Sequence, residues 1–217
     1  MTESSNLPPF SADMAGVHNV FRSSLSTAPG FIASAAGQDE RRAMIANYYA
    51  NLMAFLSVHH EGEEQIVFPL LMERAPDSRS IVEQGASQHE DVVELMLGVN
   101  ESIESWATNG DSEAEQALSY LQSLDAVLSP HLDQEEAEIV PLAAEYLSAE
   151  EWGMLPGHAM GSFQGDKIWL IMGLIRENFS QDQRDAMLEN MPPPARDMWQ
   201  NIGESSFNEL IAQVRQV

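Results

Sequence analysis

The chain of 217 residues contains no cysteine. This absence excludes disulfides, thiolate nucleophiles, iron–sulfur clusters and zinc sites built on thiolates. Any metal ion that this chain binds must therefore be held by histidine and carboxylate groups.

Basic residues are also scarce. Ten lysines and arginines, with Lys167 as the single lysine, face 34 acidic residues, and the net charge is −24. A surface this negative repels phosphate backbones, so we expect neither nucleic acid nor an anionic membrane as a partner. We interpret most of the excess acid as a solubilising surface.

Long apolar runs are missing as well. No stretch approaches the roughly 20 residues of a membrane span. The first ten residues, MTESSNLPPF, lack the basic start and apolar core of a signal peptide. We therefore expect a soluble, cytoplasmic protein.

Two segments carry apolar residues at steps of three and four, which is typical of amphipathic helices. The first segment presents Ile45, Tyr48, Leu52, Phe55, Leu56, His59, Glu63, Val67 and Leu70. Adding 72 to each number gives the second segment: Ala117, Tyr120, Leu124, Val127, Leu128, His131, Glu135, Ile139 and Leu142. The chain therefore contains an internal repeat.

A shorter stripe precedes each of these segments. One stripe is Met14, Val17, His18, Phe21 and Leu25, and the other is Val82, His89, Val92, Val93 and Met96. These patterns thus predict two helical hairpins. Two such hairpins predict an all-α fold, an antiparallel up-down four-helix bundle over residues 1–147 with its apolar stripes inward.

Several breaks are expected between and within these helices. Ala-Pro-Gly at 28–30 separates the first two helices, and Pro69 and Pro141 end the second and fourth. Pro130 predicts a kink rather than an end.

Residues 148–217 form a second region in this interpretation. Ser148 and Glu151 predict a capping box, a Pro/Gly-broken stretch covers 156–165, and helical segments follow near 166–176, 181–190 and 194–216. Three tryptophans in this region need a surface to pack on. We expect a C-terminal helical extension packed on the bundle.

Residues four apart on a helix share a face, so His59 with Glu63, and His131 with Glu135, each point to one place. His18 and His89 lie on the inward stripes of the other two helices. A lone histidine on such a stripe is more often an ordinary core residue, but here the pattern recurs in phase. Burying these groups costs several kcal/mol per uncompensated charge. A pair of cations bridged by the two carboxylates is the natural compensation.

The chain resembles the hemerythrin-like (HHE cation-binding) family, in its longer bacterial type with a C-terminal helical extension. The resemblance rests on VHNVFR (17–22), HHEGEEQIVFPLL (59–71), QHEDVVELM (88–96) and HLDQEEAEIVPLA (131–143). It implies a four-helix bundle around two non-heme iron ions bridged by oxo or hydroxo and two glutamates. The implied metal ligands are His18, His59, Glu63, His89, His131 and Glu135.

The sequence departs from this family at one ligand. Hemerythrins place two histidines four residues apart on the third helix, but the positions four away from His89 are Gly85 and Val93. Either His60, which has no counterpart in the second repeat, or His158 in the extension is a candidate to supply the missing ligand.

Glu64 and Glu136 follow the two bridging candidates. We expect both to be solvated; hydrogen bonding to a ligand histidine is the lesser alternative.

The resemblance implies a di-iron protein that binds O2, NO or peroxide. Two alternatives stay open: an enzyme that turns over peroxide or NO, and an iron or oxygen sensor that signals through the extension. No general acid or base is visible beyond the glutamate pair, and no segment resembles a signalling module. No motif specifies a redox partner or an oligomeric state.

Overall fold

The structure, a computed structural model, describes residues 9–163 and 167–216. This part of the chain consists of helices and their connections and contains no strand. The helices are α1 (Pro9–Ser26), α2 (Ala28–Ser34), α3 (Asp39–Gly62), α4 (Phe68–Arg74), α5 (Arg79–Asn109), α6 (Ala114–Gln134), α7 (Val140–Tyr146), α8 (Ala149–Trp152), α9 (Met154–Ser162), α10 (Lys167–Asn178), α11 (Gln181–Asn190), α12 (Pro193–Met198) and α13 (Glu204–Val214).

Four of these helices form the predicted bundle. Helix α5 packs against α3 and α6, and α1 closes the ring by packing against α3 and α6. The apolar stripes face inward, where residues such as Phe21, Leu52, Val92 and Leu124 are fully buried. The predicted all-α bundle is confirmed.

Helices α3 and α6 do not end at their prolines, contrary to the sequence-based expectation. Each passes through a π-helical turn, Glu63–Val67 or Glu135–Ile139, and then continues as α4 or α7. Pro69 and Pro141 lie just after these turns. A proline in an α-helix removes a backbone donor and crowds the preceding turn, and a wider turn directly upstream relieves both effects.

The first connection contains a short helix that the sequence did not predict. As expected, α1 ends just before the Ala-Pro-Gly stretch, but this stretch then begins α2. Pro29 lies in the first turn of α2, where a backbone N–H has no intrahelical partner to lose. Pro130 lies inside α6, which continues past it as expected.

Residues 148–216 pack on one side of the bundle. Helix α9 contacts α3, α10 contacts α1 and α3, and α13 contacts both α3 and α10. The Ser148–Glu151 capping box is present at the start of α8. Most of the stretch expected to be broken is helical, since residues 156–162 belong to α9; Gln164 and Gly165 lie outside the described residues. The division of the chain at residue 147 stays a prediction.

The described helices include no candidate for a membrane-spanning segment. None of them combines the length and the hydropathy needed to cross a bilayer.

Gly173 on α10 tests how tightly the C-terminal helices dock. A Cβ at this glycine would lie 2.1 Å from ring atoms of Phe207 on α13. Gly173→Ala should therefore lower the free energy of unfolding by about 1–3 kcal/mol, measured by chemical denaturation.

Gly157 on α9 provides the matched control. A Cβ there meets nothing within 4 Å, so Gly157→Ala should be neutral or stabilise by up to about 1 kcal/mol. Equal effects of the two substitutions would contradict the observed packing of α10 against α13.

Candidate metal centre

Seven histidine and glutamate side chains meet where the four bundle helices pass the two π-helical turns. Helices α1 and α5 supply one histidine each, α3 supplies two, and α6 supplies one. The glutamates are the first residues of the π-helical turns. The seven residues are His18, His59, His60, Glu63, His89, His131 and Glu135. All seven are almost completely buried. The side chain of His59 is 8% exposed, and the other six residues are at most 3% exposed.

Their donor atoms fall into two groups. The three-histidine group consists of His60, His89 and His131, and the mixed group consists of His18, His59, Glu63 and Glu135. Within each group, one donor atom per residue lies within 4.8 Å of the others. Each group is therefore small enough to surround a single cation.

The two carboxylates connect the groups. Glu63 Oε1 lies 3.7 Å from His59 Nε2, while its Oε2 lies 3.7 Å from His89 Nε2. Glu135 Oε2 lies 3.4 Å from His18 Nε2, and its Oε1 lies 3.2 Å from His131 Nε2. Each glutamate thus turns one oxygen toward each group, which is the arrangement of a bridging carboxylate.

Many of these buried atoms have no hydrogen-bond partner. They are Nε2 of His18, His59 and His131, both ring nitrogens of His60, and Oε2 of Glu63 and Glu135. Leaving one buried polar atom unpaired costs about 1–3 kcal/mol. A structure that leaves this many at one place fits a bound cation, which compensates all of them together. The residues present therefore suit two metal ions.

Burial sets the protonation of this site. Burial, and then the neighbouring His18, lower the pKa of His59 to about 3. Burial also lowers the pKa of His60 well below its ordinary value. Both imidazoles are therefore neutral at pH 7, as metal ligands must be.

The pKa values of the two glutamates shift in opposite directions. Burial, and then the charge of Glu135, raise the pKa of Glu63 well above its ordinary value. Burial also acts to raise the pKa of Glu135, but the imidazoles of His131 and His89 outweigh it and hold the pKa low. Without a metal, Glu63 is therefore the member of the pair that binds a proton more readily.

Glu64 and Glu136 were expected to be solvated, and this expectation was wrong in part. Both remain accessible to solvent, yet each accepts a hydrogen bond from a histidine of the centre. The Nδ1–H of His89 donates to Glu64 Oε1 at 2.9 Å, and the Nδ1–H of His18 donates to Glu136 Oε1 at 2.8 Å. Because each of these bonds places a proton on Nδ1, Nε2 is the nitrogen of each ring that is available to bind a metal ion at the centre.

Gln88 orients a third imidazole. Its Oε1 accepts a hydrogen bond from the Nδ1–H of His131 at 2.9 Å. Gln88 was not predicted from the sequence. The available signal was its place directly before His89, on the edge of the inward stripe of α5.

His60 is the site residue whose role the sequence left open. Its ring stacks on that of His89, with centroids 3.9 Å apart and planes 11° from parallel. Gly85, one of the positions where the family would carry a histidine, is buried beside Phe68, whose Cζ lies 3.5 Å from the place of a Cβ. Phe68 therefore fills part of that space, and His60 joins the centre from α3 instead.

His158 lies outside both donor groups. It is on α9, where its Cδ2 is 3.4 Å from the place of a Cβ on Gly62. Its Nε2 is buried and has no hydrogen-bond partner. His158 therefore lies beside Gly62, the residue before Glu63, and outside both donor groups.

The fold and this site together define a class: a four-helix-bundle protein with a buried cluster of histidines and glutamates suited to binding cations. The comparison with known families agrees, because the family model described as the hemerythrin HHE cation binding domain matches residues 12–143. The chain belongs to this family. No curated protein and no solved structure matches the chain.

The raised pKa of Glu63 predicts a measurable consequence of metal binding. A cation at the centre requires the ionised carboxylate, so adding Zn2+ to the metal-free protein at pH 7 should displace bound protons from Glu63. His59 and His60 are already neutral and release none. Because protons compete with the metal, the affinity should fall as the pH is lowered. Calorimetric titration in buffers of different ionisation enthalpy measures the release.

Glu63→Gln is the control, since the amide has no proton to lose at this pH. A proton release that is unchanged by Glu63→Gln would show that the proton comes from another group.

Proposed function

We propose that this protein holds two non-heme iron ions, one at each donor group, and binds a small ligand such as O2, NO or peroxide at one of them. The observation that carries the proposal is the position of the two carboxylates, each with one oxygen toward each group. The donors are nitrogen and oxygen without sulfur, which suits iron, manganese or zinc. Membership of the hemerythrin HHE family favours iron.

In this proposal His60, His89 and His131 bind one iron, and His18 and His59 bind the other. Glu63 and Glu135 bridge the two. His60 takes the place of the histidine that is missing from α5. The support for His60 is its burial, at 3% exposure, and the lack of any partner for either ring nitrogen.

The two irons then have unequal numbers of protein ligands. The iron in the three-histidine group has one more imidazole than the iron beside His18 and His59. The second iron would therefore keep a free coordination position for a small ligand, and the two ferrous ions together would supply the electrons that O2 binding needs.

Apolar side chains shape this half of the centre. The ring of Phe21 lies 5.5 Å from that of His59, and Phe55 lies 5.0 Å from Phe21. Both phenylalanines are buried. They exclude water from the space beside the second iron and favour a small uncharged ligand over a charged one. The cytoplasmic location expected from the sequence is part of this proposal.

His60→Leu tests the assignment of His60, because leucine is the residue at the matching position 132 of the other repeat. Removing one imidazole should weaken binding of one metal ion by about 10–100-fold. Loss of a residue that only hydrogen-bonds to a metal ligand already has an effect of this size. Metal content after dialysis, measured by elemental analysis, should fall from two ions per chain toward one.

His158→Leu is the matched control, and it should retain both ions. If His158→Leu loses an ion and His60→Leu does not, the missing ligand comes from the extension and the assignment of His60 is wrong.

Reaction of the di-ferrous protein with O2, peroxide and NO, each added separately under anaerobic conditions, tests the function. A binding protein takes up about one ligand per pair of irons, and its spectrum returns when the ligand is removed. Many turnovers of peroxide or NO per centre would instead establish an enzyme. A metal analysis that finds zinc alone would contradict the proposal.

A further inference from the structure

Glu136 is held from two sides. It accepts the Nδ1–H of His18 at 2.8 Å and a hydrogen bond from Arg22 Nη1 at 2.7 Å. Arg22 Nη2 also donates to Asp133 Oδ1 at 2.6 Å. The side chains of Arg22 and Glu136 are only 24% and 32% exposed, so this charge pair is partly shielded from solvent. A cation therefore stands directly behind the carboxylate that orients His18.

Glu64 performs the same task for His89 without such a cation. It accepts the Nδ1–H of His89 at 2.9 Å, and within the described part of the chain it has no other hydrogen bond or ion pair. Arg22 follows His18 by four residues, and the residue that follows His89 by four is Val93. Val93 is 48% exposed and carries no charge. The two halves of the repeat therefore differ in charge at one defined position.

This difference bears on how strongly each histidine binds a metal. A carboxylate that accepts the Nδ1–H of an imidazole makes Nε2 a better electron donor, and a loss of such a partner costs metal affinity. A guanidinium bound to the same carboxylate draws its negative charge away from the imidazole. His18 is thus the weaker donor and His89 the stronger.

We propose that Arg22 is a positioning residue that lowers the metal affinity of the half of the centre containing His18 and His59, and so keeps the two metal ions inequivalent. This inference rests on the proposed dinuclear centre. The half with the lowered metal affinity is also the half with fewer imidazoles and the free coordination position. The charge of Arg22 and the number of ligands therefore both lower the metal affinity of the same half.

A purely structural role of Arg22 makes the opposite prediction. Arg22 lies on α1, and both of its acceptors lie at the end of α6 or in the turn that follows. If it served only to tie these helices together, removing it would loosen the position of His18 and weaken metal binding. The sign of the change in affinity therefore separates the two roles.

The repeat offers a matched transplant. The counterparts of Glu136 and Asp133 at the offset of 72 are Glu64 and Glu61, both acidic and both exposed. An arginine introduced at position 93 thus finds the same two types of acceptor as Arg22. Because Val93 is exposed, Val93→Arg does not disturb the core.

The experiment is a stepwise anaerobic titration of the metal-free full-length protein with Co2+, followed by the absorption of the bound ion. Arg22→Gln keeps a hydrogen-bond donor for Glu136 but removes the positive charge. It should tighten the weaker binding step by about threefold to tenfold, at or below the low end of the effects seen when a residue hydrogen-bonded to a metal ligand is changed. Arg22→Lys, which keeps the charge, should restore the wild-type value. Val93→Arg should weaken the tighter step by a similar factor.

Three outcomes would overturn the inference: a weaker second step in Arg22→Gln, no change in either step, or an equal change in both. If the wild-type chain binds two Co2+ ions and these variants leave both steps unchanged, the inference about Arg22 fails while the dinuclear centre stands. A wild-type chain that binds no Co2+ would overturn both.

Discussion

The structure depends on one set of buried polar atoms at the middle of the bundle. Two carboxylates and five imidazoles occupy positions that elsewhere along the same stripes hold leucine, valine and phenylalanine. Most of their inward atoms have no protein partner. Because unpaired groups of this kind are costly in an apolar interior, cations bound between them would contribute to the stability of this core. The functional site and the core are therefore one structure.

The internal repeat explains the layout of the centre. Glu64 of the first hairpin orients His89 of the second, and Glu136 of the second orients His18 of the first. The hairpins are thus joined by reciprocal hydrogen bonds, and the carboxylates of Glu63 and Glu135 lie between the two donor groups. In the proposed centre, the chemistry depends on where the two copies of the repeat differ. There, an extra histidine adds a ligand to one half, and an arginine behind the other half reduces the negative charge beside His18. The two copies differ at three equivalent pairs of positions: His60 corresponds to Leu132, Arg22 to Val93, and Gln88 to Val17.

Much of this arrangement could be predicted from the sequence, because the pattern of each stripe recurs: His18 recurs as His89 after 71 residues, and His59 with Glu63 recurs as His131 with Glu135 after 72. The helices, their inward faces and these six residues follow from the repeated pattern. The π-helical turns could not be predicted, since Pro69 and Pro141 signal a helix end in local terms. His60 could not be placed either. It lies about 100° around the helix from His59, and only the packing of α3 against α5 brings its ring onto His89.

Anomalous X-ray diffraction at the iron edge, from crystals of the iron-loaded protein, tests the central claim most directly. Two peaks are expected between the carboxylates of Glu63 and Glu135. One should lie against His60, His89 and His131, and the other against His18 and His59. A single peak, or peaks away from the two glutamates, would contradict a dinuclear centre at this site.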